Sequence, residues 1–178
     1  MTSRYTKTAS KGRFLTERDK QVIEAVYEAR YLTRSQIQQL FFGSATRAKT
    51  RLRILYNNGW LRKREVGQNR EDVYFLGVKG RHLIEERLKL QRDYVAKVSG
   101  VPGTGATLLY LDHELAISAL YVALRLETRL HNWTLTWRNA RQLELGKLGV
   151  QPDAYFQVKG QSTKEAFIEF TAVLPKPT

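Results

Sequence analysis

The stretch SATRAKTRLRILYNN at residues 44–58 decides the fold of this chain. Read as a helix with about 3.6 residues per turn, it places Leu52, Leu55 and Tyr56 on one face. The other faces carry only cations, and no acidic residue interrupts the run; these cations are Arg47, Lys49, Arg51 and Arg53. An ordinary solvated helix mixes both charge signs. A helix with cations alone on its outside repels itself in water, so the pattern predicts a polyanionic partner such as DNA.

The positive charge is concentrated in the first half of the chain. The 178 residues have a formal net charge of +13. Residues 1–99 contain 22 Lys and Arg against 10 Asp and Glu, whereas residues 100–178 contain 8 against 7. This asymmetry predicts an anion-binding module joined to a nearly neutral one. The apolar fraction of 42% is typical of a globular core, and the absence of cysteine excludes disulfides and thiolate zinc sites.

Two shorter helices are predicted before the basic helix. Thr16 to Asp19 and Thr33 to Gln36 both have the spacing of a capping box, in which a hydroxyl and an acid or amide satisfy the first turn of a helix. Gly43 then supplies a tight turn, and Ser44 is a natural N-cap for the basic helix. A short helix, a tight turn and a basic helix together indicate a helix-turn-helix.

A β-hairpin is predicted directly after the basic helix. Gly59 stands where a helix ends, residues 60–66 and 73–76 have strand-like composition, and the polar residues 67–72 form a turn between them. A hairpin that follows a recognition helix is the wing of a winged helix-turn-helix. Residues 77–91 return to helical periodicity and close the module.

The domain organisation follows from these patterns. We expect an α+β protein with a flexible basic N-terminal arm at residues 1–13 and a winged helix-turn-helix at residues 14–91. Residues 92–110 include the Gly- and Pro-rich run at 99–105 and are predicted to be a linker. Residues 111–178 read as a small α+β domain that starts with an apolar helix.

The predicted DNA contacts lie on the basic helix and the wing. Arg47 is expected to read a base, since Arg pairs with guanine in bidentate fashion, while Thr50, Arg51 and Arg53 are expected to contact phosphates. The full predicted set is Arg34, Ser44, Thr46, Arg47, Lys49, Thr50, Arg51, Arg53, Arg62, Lys63, Arg64 and Arg70. Two alternatives are that these cations are a solubilising surface, and that the module binds a protein rather than DNA.

Three carboxylates in the second half form a weaker candidate site. Asp153 follows Pro152, Glu169 ends the next predicted strand, and Glu114 lies on the preceding helix. Nucleases of the PD-(D/E)xK superfamily hold Mg²⁺ with such acids and use a Lys two positions after the second one. Here that position is Thr171. The alternative is that Asp153 is an ordinary strand-boundary residue.

Several of these features together resemble the replication-relaxation family of plasmids and integrative elements. The resemblance covers most of residues 14–172, and it includes Gly59-Trp60-Leu61, Val73-Tyr74-Phe75-Leu76, His113-Glu114-Leu115-Ala116 and Pro152-Asp153-Ala154. It implies a winged-helix DNA-binding protein that acts in replication, relaxation or transfer of mobile DNA. It also implies a second half similar to a degenerate PD-(D/E)xK nuclease fold, in which Thr171 departs from the pattern.

The sequence therefore predicts a site-specific double-stranded DNA-binding protein of a plasmid or mobile element. A homodimer and contacts with replication or transfer proteins are the expected assemblies. No cofactor and no metal centre are expected, because His82, His113 and His131 lack ligand-like spacing. A cytoplasmic location without a membrane segment is expected. The alternatives are a Mg²⁺-dependent nuclease that uses Glu114, Asp153 and Glu169, and a transcription regulator with no role in replication.

Overall fold

Within the residues that the structure describes, the fold combines seven helices with two small antiparallel sheets, in agreement with the predicted α+β class. It is seen in a computed structural model that describes residues 14–67, 70–99, 108–143 and 152–169. The chain divides into two compact units, residues 1–101 and 102–178. The predicted N-terminal arm at residues 1–13 lies outside the described residues, as does Thr171.

The first unit begins with three helices. They are α1 (Glu17–Ala29), α2 (Arg34–Phe41) and α3 (Ala45–Asn57), with the two-residue strand β1 (Leu32–Thr33) between α1 and α2. Both predicted capping boxes are present, at Thr16 with Asp19 and at Thr33 with Gln36. Ser44 caps α3, and its hydroxyl accepts a hydrogen bond from the backbone N–H of Arg47. The sequence therefore located the helix starts correctly, because capping is a local interaction.

A three-stranded antiparallel sheet completes the core of this unit. Strands β2 (Leu61–Arg64) and β3 (Val73–Leu76) form the predicted hairpin, and β1 adds to the other side of β3. Strand β1 could not be predicted from the sequence, because two residues carry no periodicity and only pairing with β3 makes them a strand. All four residues of β3 are buried at the centre of the sheet.

Glycines hold the end of α3 close to the start of the next helix. Gly59 has φ of +78°, a backbone conformation that costs glycine little. A Cβ on Gly77 would lie 2.2 Å from the carbonyl oxygen of Gly59, and one on Gly80 would lie 2.3 Å from that of Trp60. The start of α4 thus lies against the junction between α3 and β2 in a backbone-to-backbone contact that a side chain would prevent.

The predicted linker at residues 92–110 is wrong at both of its ends. After α4 (Val78–Leu88), residues 92–98 form α5 (Arg92–Val98), and a long helix already starts at Leu108. Val95 and Val98 are fully buried, so α5 belongs to the first unit. Its two buried positions were too few to show a helical stripe in the sequence. The Gly-rich centre of the predicted linker lies outside the described residues.

The second unit consists of a long helix, a short helix and an antiparallel sheet of order β4-β5-β6. Its elements are α6 (Leu108–Leu130), β4 (Thr134–Asn139), α7 (Ala140–Leu143), β5 (Ala154–Lys159) and β6 (Thr163–Ile168). Helix α6 packs on β4, where the rings of Tyr121 and Trp137 meet edge to face at 5.3 Å. Among the described residues, no helix combines the length and the apolar character that a membrane crossing requires.

Candidate nucleic-acid interface

Helix α3 buries one face and exposes a basic one. Ala48, Leu52 and Leu55 are buried in the core. Successive residues turn by about 100° around a helix, so the opposite side is centred on Thr46 and Thr50. Five exposed side chains make up this side, which we term the α3 face: Thr46, Arg47, Lys49, Thr50 and Arg53. The predicted amphipathic helix is present, and its outer side contains no acid.

The fourth cation of α3, Arg51, is used inside the protein. Its guanidinium donates to both carboxylate oxygens of Asp19, with 2.5 Å between Nε and Oδ1. The Asp19 side chain is 1% exposed and also accepts hydrogen bonds from the hydroxyl and backbone N–H of Thr16, at 2.7 and 2.6 Å. Burial raises the pKa of Asp19, but the hydrogen bonds from Arg51 and Thr16 outweigh it and hold the pKa below its usual range. The pair fixes α3 to the start of α1.

Two further residues predicted to contact DNA, Lys63 and Arg34, also form ion pairs within the protein. The ammonium of Lys63 lies 2.9 Å from Asp72 and 3.1 Å from Glu65, and its side chain is only 8% exposed. The guanidinium of Arg34 lies 3.0 Å from Glu71. The Glu71 carboxylate also accepts a hydrogen bond from the Ser35 hydroxyl. The Lys63 pairs connect residues within the hairpin, and the Arg34–Glu71 pair connects the turn of the hairpin to the start of α2.

The remaining cations of the hairpin lie at or near its surface. Arg62 is exposed, and its guanidinium carbon lies 5.7 Å from the centre of the Phe75 ring. Arg64 is half-buried, and Arg70 is exposed at the end of the turn between β2 and β3. Both have interactions within the protein.

Concave surfaces flank the α3 face on both sides. A cavity of about 130 Å³ lies between α3 and the hairpin, and a wider one of about 540 Å³ lies between α3 and the start of α1. Thr50 lines both of them. Their two acids, Asp72 and Asp19, are the ones neutralised by Lys63 and Arg51. The α3 face is therefore a ridge between two concave surfaces whose acids are paired.

The three carboxylates of the nuclease alternative differ in their burial and in their neighbours. Asp153 and Glu169 lie at the same end of the β5–β6 pair, where the Asp153 N–H donates to the Ile168 carbonyl. The Oδ1 of Asp153 lies 2.9 Å from the Nε2 of His113, Glu114 is buried, and Glu169 is exposed. Within the described ranges no three His, Asp or Glu side chains come together as a metal site. The Mg²⁺ site of the nuclease alternative, with Glu114, Asp153 and Glu169, is therefore not assembled among the described residues.

Comparison with known proteins decides the family. The family model described as replication-relaxation matches residues 23–171. The chain belongs to the replication-relaxation family. Membership indicates a role in the replication or relaxation of a plasmid or other mobile element. No curated protein and no solved structure matches the chain.

Some residues at the edge of the α3 face of this replication-relaxation protein were not predicted from its sequence. Arg18 lines the wider cavity, and its guanidinium carbon lies 5.7 Å from the centre of the Phe42 ring. Tyr56 and Tyr74 line the smaller cavity. Arg18 looks like an ordinary surface cation of α1, and only the packing of α1 against α3 brings it to this surface. Tyr56 and Tyr74 look like core residues, since both have the spacing of buried positions.

Proposed function

We propose that this protein binds double-stranded DNA at specific sites of a plasmid or mobile element and thereby acts in its replication, relaxation or transfer. In this proposal α1, α2, α3 and the β2–β3 hairpin are a winged helix-turn-helix, and α3 is its recognition helix. The observation that carries the proposal is the α3 face, a ridge of exposed Arg, Lys and Thr without acids between two concave surfaces.

The dimensions of a helix and of a DNA groove support this role for α3. A helix with its side chains is about 10–12 Å across, and the major groove of B-DNA is about 12 Å wide. A helix that enters the groove has a phosphate backbone on each side. The two concave surfaces beside α3 are where those backbones would lie, with Arg18 and Arg47 lining one and Lys49 and Arg53 lining the other.

The internal ion pairs divide the predicted contacts into two groups. Arg47, Lys49 and Arg53 have no side-chain hydrogen bond or ion pair within the described parts of the chain, so their charges are available to a ligand. Arg51 and Lys63 hold the module together, and we assign them a structural role. Arg47 and Thr46 lie in the first turn of α3, the part of a recognition helix that contacts base edges.

The wing supplies contacts that do not depend on sequence. Arg62, Arg64 and Arg70 lie on or beside the hairpin, and cations in this position neutralise phosphates. Their contribution is to affinity and orientation, because phosphates are the same at every base pair.

We further propose that the protein binds DNA as a homodimer through the outer face of α6. That face carries apolar residues at alternating spacings of three and four, namely Ala116, Ala119, Ala123, Leu126 and Leu130. Leu126 and Leu130 are 38% and 74% exposed. Apolar residues spaced alternately three and four positions apart form the seam along which two helices pack in a coiled coil. A second copy of the chain presents the same face.

The test uses duplexes selected by the wild-type protein from a random-sequence pool. Fluorescence anisotropy then compares each variant on the selected duplex and on a scrambled one. Arg47→Ala should weaken binding to the selected duplex by about 1–3 kcal/mol, with a smaller effect on the scrambled one. Arg53→Ala should weaken both alike and reduce the slope of log K against log salt by about 0.9.

The matched control is Arg92→Ala, which removes an exposed Arg from α5 of the same unit and should leave both affinities unchanged. Selection of no preferred duplex by the wild-type protein would contradict site-specific binding. Wild-type affinity in both the Arg47 and the Arg53 variants would contradict the assignment of α3.

A further inference from the structure

The sheet of the second unit has an outer face that the proposed duplex binding does not use. Trp137 points toward α6, where it meets Tyr121. Side chains alternate along a strand, so the neighbouring Arg138 points to the other side. Arg138 pairs with Tyr155 on β5, and Tyr155 pairs with Phe167 on β6. These three side chains therefore form one row across the outer face, which we term the aromatic row.

The ring of Phe167 is exposed, and that of Tyr155 beside it is half-buried. Phe167 is 61% exposed, although it is as apolar as any core residue. The rings of Tyr155 and Phe167 lie 5.1 Å apart at an angle of 50°. The Tyr155 hydroxyl donates to Glu165 at 2.7 Å, and the amide of Gln157 donates to the same carboxylate oxygen at 2.7 Å. Tyr155 is thus fixed by its polar end, while Phe167 presents its ring to solvent.

Cations and polar groups share the outer face of the sheet with the rings. Arg138 and Lys159 are exposed on this outer face, and the charge of Arg138 is close enough to act on the Tyr155 hydroxyl. The next cross-strand rows contain Thr134, Thr136, Gln157, Glu165 and Thr163. A protein-binding core is more apolar than this and poorer in charge. Exposed rings beside cations on a polar sheet are instead the combination that binds unpaired nucleotides.

We propose that the aromatic row binds single-stranded DNA, with bases stacked on Phe167 and Tyr155 and phosphates at Arg138 and Lys159. Every base has a π-face, so such binding tolerates any sequence. A duplex hides these faces within its own stack, so the row selects unpaired DNA. The inference is independent of the duplex proposal, because it is carried by the second unit, and replication and relaxation of DNA are processes in which unpaired strands arise.

The test measures the affinity of the full chain for fluorescein-labelled oligothymidylate by anisotropy, at salt high enough to suppress non-specific attraction to the basic first unit. Phe167→Leu keeps an apolar side chain but removes the ring, and it should weaken binding at least about fivefold. Phe167→Trp offers a larger ring, and it should bind as tightly as the wild type or more tightly.

Two charge variants and a control complete the test. Arg138→Ala should weaken binding, and Glu165→Gln should strengthen it, because the amide oxygen can still accept from Tyr155 while the charge that repels phosphate is gone. Lys164→Ala is the control, because it removes an exposed cation from the opposite face of the same strand, and it should have no effect. Circular dichroism and thermal melting check that each variant is folded.

The outcomes separate this proposal from its alternatives. Wild-type affinity in folded Phe167→Leu and Arg138→Ala would overturn it, as would a preference for oligouridylate over oligothymidylate. Equal loss in Phe167→Leu and Phe167→Trp would also overturn it, since stacking would then not be the cause. Loss of duplex binding in Arg53→Ala with oligothymidylate binding intact supports two separate sites, and failure of either proposal leaves the other measurable.

Discussion

At the scale of single residues, the neighbouring side chains decide whether an arginine has a structural role or is available to a ligand. Arg51 and Arg53 are two positions apart on α3 and identical in chemistry. Arg51 meets the buried carboxylate of Asp19, whereas Arg53 is exposed. Removing one member of a buried ion pair leaves an uncompensated charge. We therefore expect the same substitution to reduce stability at Arg51 and, under the proposed function, to reduce DNA binding at Arg53.

The Asp19–Arg51 pair predicts a pH-dependent stability. The pKa of Asp19 is lowered from 3.8 in the folded state, so its ionised form stabilises the fold above that pH, and the contribution is lost as pH falls through the lowered pKa. Asp19→Asn should reduce the free energy of unfolding by about 3 kcal/mol at neutral pH. The difference from the wild type should shrink in acid. Urea unfolding of both proteins at neutral and at acidic pH measures this difference in the free energy of unfolding.

Glu86→Gln is the control for this prediction, because Glu86 is exposed on α4. It should change the free energy of unfolding little at either pH. A difference between wild type and Asp19→Asn that stays constant into acid would show that the carboxylate does not titrate with a lowered pKa.

At the scale of elements, close backbone contacts set the position of the hairpin relative to α3. Gly80 lies on the first turn of α4 and faces the carbonyl of Trp60, at the junction between α3 and β2. Backbone atoms cannot move aside as the end of a flexible side chain can. The proposed binding of α3 and the hairpin to one duplex would require this arrangement to be kept.

Gly80→Ala should therefore destabilise the protein, by about 1–3 kcal/mol as expected for overpacking. Thermal melting should show a drop of several degrees. Gly43→Ala is the matched control, because a Cβ there meets nothing within 4 Å. A melting temperature for Gly80→Ala equal to that of Gly43→Ala would contradict the tight junction.

At the scale of the whole molecule, the excess of basic charge and the long apolar face of α6 lie on different units. The excess of cations is in residues 1–99, while most of the exposed large apolar side chains of the second unit lie on α6. An exposed apolar helix face in a folded protein is typical of an interaction surface. This division is consistent with the proposal that the first unit binds DNA and the second unit binds a second copy of the chain.

The proposed dimer predicts a concentration-dependent mass. Sedimentation velocity should show the wild-type chain passing from one-chain to two-chain mass as its concentration rises. The double variant Leu126→Glu and Leu130→Glu should stay at one-chain mass, because charges would face each other across the seam. Leu88→Glu, at an exposed Leu of α4, should dimerise as the wild type does. A wild-type chain that keeps one-chain mass throughout would contradict the dimer.

The sequence by itself determined the local elements and the charge pattern. The capping boxes, the bounds of α3 and the strand at residues 73–76 were predicted, because hydrogen bonds and periodicity within a few residues define them. The basic outer side of α3 was predicted for the same reason. The resemblance to the replication-relaxation family, read from motifs along the chain, was confirmed.

Only the tertiary structure decided which side chains are available to a ligand. Arg51, Lys63 and Arg34 look like DNA contacts in the sequence, but Asp19, Asp72 and Glu71 engage them from positions far away or across a turn. Strand β1 and the aromatic row likewise exist only through pairing between strands. The physical reason is that ion pairs, strand register and burial depend on distances in space, and separation along the chain does not fix those distances.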